Sequence, residues 1–391
     1  MYRSQKIKLI LNNSMKRYLD KCFGYDRYVW NSILAINNEL YARGIDSDIN
    51  SITKVIRRHR KETKWENELP SYIINTNSMN ICHTWKKNGK ANFKTKKNKR
   101  DSFYIPADKF SDNSFQMRGN SMTFAITMSK KCRIPRKYRV MKLEELPKCK
   151  DPKNDIVSAV ISKCVDGYYV SFCYVVDKSF LEKTISVSAI GIDPGIKSVM
   201  TLSTGDKIKF PIKKIKKLEQ KIRFYDKQMS RKYKKGVSSK NQSNRYKRVK
   251  TKRAKLFLKI TRIKTDLLHK ITTNLVRTNS LIAYENCSSK KLSKNRRLSK
   301  YINSSCWYLI KKMFRYKSEM YGCMFELVDP LLAATQTCYE CGNVLKGDKK
   351  LKLNDRVYKC SCGYVEDRDV NAAKNILKFA QLKLTETQPI K

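Results

Sequence analysis

ISVSAIGIDPGIKSVMTLSTGDKIKFPI, Ile185 to Ile212, is the stretch that decides how the chain is read. Three apolar, β-branched runs follow one another in it: SAIGID, IKSVMTLS and KIKFPI. Turn residues separate them at Pro194-Gly195 and at Thr204-Gly205-Asp206. Strand formers alternating with turn formers predict a three-strand meander. Its first strand ends on a carboxylate, Asp193, directly before the Pro-Gly turn. Further along, a second apolar run, LIAYE, also ends on an acid, Glu285, and a third, MFELV, leads into Asp329-Pro330. The chain closes with DRDVNAAKNILKFAQL, apolar at helical spacing, with Asp369 where the helix begins.

Meander, single strands and a terminal helix in this order fit an α/β, RNase H-like sheet whose acids meet at one rim. Carboxylates at strand ends are a common way to hold hard cations. Two Mg²⁺ about 3.5–4 Å apart in such a cluster activate water and stabilise the leaving oxygen of a phosphodiester. Taken singly, each acid has a plainer role. Asp193 can open a turn, Glu285 can be an exposed strand end, and Asp369 can cap a helix beginning at Val370.

Charge points the same way. Of 391 residues, 85 are Lys or Arg and 34 Asp or Glu, a net charge of +51. At 41% hydrophobic the chain has enough apolar residues for cores, so wholesale disorder is excluded. Its length suggests two to four domains. Self-repulsion on this scale calls for a polyanion, nucleic acid before an anionic membrane surface. Residues 213–264 hold 22 Lys and Arg against only Glu219 and Asp226. Ile212, Ile215, Leu218, Ile222 and Tyr225 mark one helix there, and Leu256, Ile260, Ile263, Leu267 and Ile271 a second. GVSSKNQSN between them is a turn or a disordered tip, giving a basic helical hairpin. Tyr225, Tyr233 and Tyr246 could stack on bases, but packing is the commoner fate of tyrosines at helical spacing, so none is assigned.

No apolar run reaches the length of a membrane span, and Lys6 and Lys8 interrupt the apolar piece at the start too early for a signal peptide. Disulfides are therefore not expected. Of 13 cysteines, nine are scattered, often in apolar runs. The other four form Cys338-x-x-Cys341-Gly and Cys360-x-Cys362-Gly, with 18 residues between the pairs. Two glycine-ended turns aiming two sulfurs each suit a structural tetrahedral Zn²⁺, with a redox pair, buried thiols or an iron–sulfur cluster as alternatives.

Ahead of the meander, KIKLIL reads as a strand and FGYDRYVWNSILAINNEL as a helix, followed by helical pieces and a basic loop, KKNGKANFKTKKNKR, read as solvated contact surface. FYIP, MTFAITM, DIVSAVI and GYYVSFCYVV then predict a small antiparallel β-domain. A short helix from about Ser304 to Tyr321, closed by Gly322, sits between LIAYE and MFELV.

GIDPGIKS, LIAYEN, VDP followed by TQTCYECGN, and CSCGYVEDRDVNAAKNIL resemble, in sequence and order, the TnpB or OrfB family of transposon-encoded proteins. Relatives of that family are the Fanzor proteins and compact type V CRISPR effectors. The resemblance runs from Ile190 to Leu377, with FGYDRYVWN as a fainter match to the family's N-terminal segment. It implies an RNA-guided DNA endonuclease with a RuvC-like, RNase H-fold catalytic domain. The family's first acid then falls on Asp193, the acid of its central strand on Glu285, and the acid before x-N-A-A on Asp369 rather than Asp367. Implied with these are Mg²⁺ or Mn²⁺ at the acids, one structural Zn²⁺ on Cys338, Cys341, Cys360 and Cys362, a guide RNA, and target double-stranded DNA. No membrane is implied. The location expected is the cytoplasm or nucleoid of a prokaryote, or the nucleus if the host is a eukaryote. Two departures from the family pattern are the tightened Cys360-x-Cys362 pair and Trp30 where Tyr is usual. Neither touches the acids.

The expected layout is as follows. Residues 1–101 are a strand plus helical nucleic-acid-binding region, and 102–183 a small wedge-like antiparallel β-domain. Residues 184–335 are the first part of the RuvC-like domain with the hairpin at 212–276. The zinc ribbon covers 336–365, and the last RuvC-like segment and polar tail 366–391. Rival readings are a transposase joining strands through the same acids, a DNA-binding accessory of transposition that does not cut, and an RNA-binding structural protein.

Overall fold

In the computed structural model the described residues are 2–45, 48–95, 101–106, 115–118, 121–124, 132–135, 138–149, 155–176, 187–238, 241–287, 304–352 and 354–386. Contacts group the chain into two units, Met1–Lys178 and Ser179–Lys391.

The first unit opens with strand β1 (Tyr2–Ile10) and helices α1 (Asn13–Ala42), α2 (Ile49–Glu62), α3 (Lys64–Asn67) and α4 (Tyr72–Asn88). Strands β2 (Asp101–Pro106), β3 (Phe115–Arg118), β4 (Ser121–Phe124), β5 (Val140–Leu143), β6 (Ile156–Cys164) and β7 (Gly167–Val175) follow. They form one antiparallel sheet ordered β2-β6-β7-β1-β5-β4-β3. β1 therefore lies inside the β-layer, between β7 and β5, and not in a separate region with the helices. The cause is its alternation: Ile7 and Leu9 are buried while Lys6 and Lys8, which alternate with them, are not. Helices and sheet share a single core that includes Leu19, Phe23, Ile73, Phe103, Ile161 and Phe172. The division expected at residues 101 and 102 is thus not one of packing.

Of MTFAITM, the end of the expected strand lies outside the described residues, and β5, only four residues long, is too short a run to stand out in the sequence. Of KKNGKANFKTKKNKR, residues 96–100 lie outside the described residues, and most of the rest are exposed as expected, with Lys94 tied down as the exception. Lys94 Nζ donates to Asp26 Oδ2 at 2.7 Å and Asn77 Oδ1 at 3.1 Å and lies over the Trp30 ring. The Trp30 indole N–H donates to the Asn92 carbonyl at 2.9 Å, a bond tyrosine at this position could not make with the same geometry.

The second unit carries a five-stranded sheet of β8 (Ala189–Asp193), β9 (Met200–Leu202), β10 (Lys207–Ile208), β11 (Leu281–Glu285) and β12 (Met324–Val328), ordered β10-β9-β8-β11-β12. The meander β8-β9-β10 is antiparallel, while β8, β11 and β12 run parallel. Parallel neighbours need crossovers, and helices supply them. Between β10 and β11 run α5 (Ile212–Lys232) and α6 (Asn244–Thr278); between β11 and β12 runs α7 (Trp307–Tyr321). Gly322 ends α7 with φ of 72°, the left-handed conformation that a glycine adopts without strain. A buried lysine, Lys317, fastens α7 to α6 by donating at 2.7 Å each to the His269 carbonyl, Thr272 Oγ1 and Thr273 Oγ1. Burial pulls its pKa down to about 8.

Of the hairpin tip, residues 239–240 lie outside the described residues, and those on either side are held by side-chain bonds. Gln242, almost fully buried, accepts from the Lys234 amide and donates to the Lys234 and Val237 carbonyls, and Ser243 caps α6 through the Tyr246 amide. Ile215, Leu218, Ile222, Tyr246 and Val249 fill the seam between the helices, so Tyr246 is spent on packing.

Strands β13 (Val357–Lys359) and β14 (Val365–Asp367) pair as a small antiparallel ribbon, and α8 (Arg368–Glu386) ends the described chain. α8 packs on β8 so closely that a Cβ on Gly191 would run into the Ala373 carbonyl and lie 2.9 Å from Leu377. Ala372 and Ala373, buried in NAAKN, present the matching small side chains.

Candidate functional site

Register places the first two acids. Ile192 of β8 pairs with Tyr284 of β11 in a parallel ladder, so the next residues, Asp193 and Glu285, leave the sheet side by side at the same end. The third, Asp369, lies in the first turn of α8, the helix seated on β8. All three are partly buried.

Their electrostatics are those of a cluster short of positive charge. Burial raises the Asp193 carboxyl to about 8, the negative charges of Glu285 and Asp369 add to the rise, and Arg368 opposes it. Glu285 is also raised by burial, against the Cys287 thiol, which donates to its Oε2 at 2.7 Å. Among the described residues only the four cysteines bring three or more ligand atoms within 4.8 Å of one another.

Asp367 and Asp369 part company here. Asp367 accepts from the Asp369 and Val370 amides at 3.0 and 3.2 Å and pairs with Lys207 at 2.6 Å. Burial would raise its pKa, but Lys207 and the two amides outweigh burial and hold it below the usual carboxylate range. The helix cap is therefore Asp367, and Asp369 is released from that plainer role. Asp369 instead meets the Arg368 guanidinium at 3.2 Å, whose other arm donates to the Lys352 carbonyl.

Several supporting residues carried no signal in the sequence. Trp307 donates its indole N–H to the Gly195 carbonyl at 3.2 Å, bracing the Asp193-Pro194-Gly195 turn. Lys311 donates to Asn286 Oδ1 and the Cys287 carbonyl just beyond Glu285. Asn371 and Asn375 were within reach of the sequence, since their i, i+4 spacing puts both amides on one helix face. Asn371 donates to the Thr337 carbonyl and accepts from the Tyr339 amide; Asn375 donates to the Ala334 and Thr337 carbonyls. NAAKN is thus a docking face: alanines for β8, asparagines for the chain entering the ribbon.

The ribbon cysteines meet as their spacing predicts. Cys338 and Cys362 sulfurs lie 3.7 Å apart, Cys341 and Cys360 sulfurs 3.5 Å. Four sulfurs about 2.3 Å from a tetrahedral zinc would be about 3.8 Å from one another, so the set fits that ion without rearrangement. The Cys362 amide, and then the other thiols, hold Cys360 down to about 6, so a thiolate is available at neutral pH. The tightened C-x-C turn does not stop the pair from converging.

Comparisons with known proteins agree on three stretches. A sequence model of the Cas12f1-like TNB domain matches residues 307–376, one described as "Probable transposase" matches 171–296, and one described as a helix-turn-helix domain matches 1–46. The last stretch is here a strand and one long helix. Two curated proteins, each named a "Putative RNA-guided DNA endonuclease", are similar. One, from Streptomyces pristinaespiralis, is 38% identical over 192 residues, 49% of this chain and 45% of the relative. The other, from Escherichia coli K12, is 29% identical over 208 residues, 49% of each chain. A "TnpB-like protein" of Acanthamoeba polyphaga mimivirus is 26% identical over 205 residues, 49% of this chain and 37% of that one. The chain spans about half the length of the curated relatives it matches. In fold it resembles Cas12f1 as solved in a Cas12f1–sgRNA–target DNA complex, with a TM-score of 0.58, 12% identity, and coverage of 96% of this chain and 98% of that one. The resemblance to the TnpB/OrfB family is shown by these matches, and the shared architecture is a mixed α/β one.

Proposed function

We propose, with the TnpB/OrfB resemblance as premise, that this chain is an RNA-guided DNA endonuclease of that type, hydrolysing phosphodiesters with Asp193, Glu285 and Asp369. The single observation carrying this reading is that acids 176 positions apart in sequence, Asp193 and Asp369, act on each other's charge at one end of a five-stranded sheet. The strand order β10-β9-β8-β11-β12 is the RNase H-like one, so the sheet is read as RuvC-like.

An all-oxygen, anionic donor set suits Mg²⁺ or Mn²⁺. A divalent ion bound there would supply an activated water and a counter-charge for the leaving oxygen. The chain's own contribution is to hold the acids: β8 and β11 by register, α8 by its glycine–alanine contact, Glu285 by Cys287, and the turn after Asp193 by Trp307. We assign Zn²⁺ to the four cysteines, with the ribbon over 336–365. The nuclease sheet occupies 184–335 and 366–391, and the basic hairpin, 212–276, tracks the phosphates of guide RNA and target duplex. As in RNA-guided systems generally, base pairing would then read the target and the protein a short adjacent motif.

The test is purification with co-expressed flanking RNA and incubation with target DNA and Mg²⁺, beside Asp193→Ala. Cutting that depends on RNA and metal and disappears in the variant is expected; equal cutting by the variant overturns the assignment. Because one matched model is described as a transposase, products are to be examined for joined as well as cleaved ends.

A further inference from the structure

Three aromatic rings from two elements gather in the Met1–Lys178 unit: Tyr25 and Tyr28 of α1 and Trp65 of α3. Trp65 meets Tyr28 edge-on at 5.5 Å between centroids and Tyr25 at 5.8 Å, and the two tyrosines lie nearly parallel at 6.5 Å. Tyr25 is 1% exposed, Tyr28 39% and Trp65 48%. Tyr25 is thus a floor on which two outer rings are propped in water.

Their position is fixed from behind. Glu66, next to Trp65, is fully buried, its Oε1 3.2 Å from His59 Nδ1, and Thr63 Oγ1 donates to the His59 carbonyl where α2 passes into α3. A ring held open to solvent forgoes the burial that its apolar faces would otherwise gain. Rings so placed have a use for their faces. Around them the charge is positive: Arg57, Arg58, His59, Arg60, Lys61 and Lys64 lie within eight positions that include one acid, Glu62. Arg57 and Arg60 are engaged with Asn75 and the Leu69 carbonyl, while Arg58, Lys61 and Lys64 are exposed.

We propose that Tyr28 and Trp65 form a stacking platform for an unpaired nucleobase, with its phosphates held by the cations at the end of α2. An exposed ring face bordered by cations, with a second ring at 68° to it, matches a base on a phosphate chain, since bases stack on aromatic side chains whatever their sequence. Duplexes keep their base faces covered, so the platform selects single-stranded or extruded nucleotides. The proposal rests on the reading that the chain binds nucleic acid, and adds where and in what state the bases are met.

The experiment uses the full chain with dT20, U20 and a 20-bp duplex at several salt concentrations, reading Trp emission and affinity. Both single strands, or whichever one the platform takes, are expected to quench the part of the emission absent from Trp65→Phe. Trp65→Ala and Tyr28→Ala are expected to weaken single-strand affinity about tenfold with the salt slope and duplex affinity unchanged. Trp65→Phe, which keeps a ring, recovers most of the affinity. Arg58→Gln weakens strand and duplex alike and lowers the slope by about one. Trp65 emission unmoved by saturating single strand, or equal losses for strand and duplex in Trp65→Ala, overturns the platform. Failure to bind either form overturns the nucleic-acid reading itself.

Discussion

Two carboxylates, both set in recognisable motifs, meet opposite surroundings. Asp26, in FGYDRYVWN of the first unit, is buried against a cation: Lys94 lies 2.7 Å away and Asn77 donates at 2.9 Å. Asp193, in GIDPG of the second, is buried against other acids and its carboxyl is pushed up to about 8. Folding favours the first arrangement. The second opposes folding and persists because the register of β8 and β11 and the seating of α8 enforce it. Asp26 thus has a cation beside it, whereas the charges that weigh most on Asp193 are those of other acids.

The largest expected effect lies on the second side of that contrast. If Asp193 is the metal ligand proposed above, Asp193→Ala removes about 4 kcal/mol or more from a metal-assisted step, so cleavage should fall about a thousandfold or more with nucleic-acid binding retained. Cleavage and filter binding, measured on the same preparation, check it. Next comes zinc removal. Chelation, or Cys341→Ser, should release about one zinc per chain and loosen the ribbon, and with it the Ala334 and Thr337 carbonyls on which Asn371 and Asn375 anchor α8. Metal analysis and cleavage should fall together.

Gly191→Ala tests enforcement without touching an acid. Its methyl has no room against Ala373, so α8 must shift, costing about 1–3 kcal/mol in a thermal melt and displacing Asp369 enough to slow cleavage.

A fourth prediction concerns pH. Because the folded Asp193 binds its proton more tightly than the unfolded chain does, its contribution is fully present below pH 4. It is lost as pH rises toward 8. Metal-free protein should therefore lose stability across that window, by a few kcal/mol at most, and Asp193→Asn should flatten the curve. Equal slopes in both proteins would break the contrast. The smallest effect is on the paired side: Asp26→Asn leaves Lys94 half-buried without its counter-charge, costing about 1–3 kcal/mol of stability and leaving cleavage per folded molecule unchanged.

Periodicity made most of the second unit legible. The meander, LIAYE, MFELV, both hairpin helices and the glycine that ends α7 could be read because apolar alternation and turn residues are local signals. The preference for Asp369 over Asp367 rests on the motif alone; what the structure adds is that Lys207, 160 positions away, and the helix amides occupy Asp367. The first unit was less legible. The place of β1 between β7 and β5, and the pairing of Lys94 with Asp26, depend on partners 68 to 173 residues distant that no window of sequence contains.

By itself the sequence determined the inventory: a polycation with its charge gathered in a hairpin, four thiols in two tight turns, and acids at the ends of apolar runs. Those features follow from residue type and near-neighbour spacing. Tertiary structure alone decided which acids would be neutralised and which left facing one another. That outcome depends on distances between side chains far apart in the chain, which are set by sheet register and helix packing.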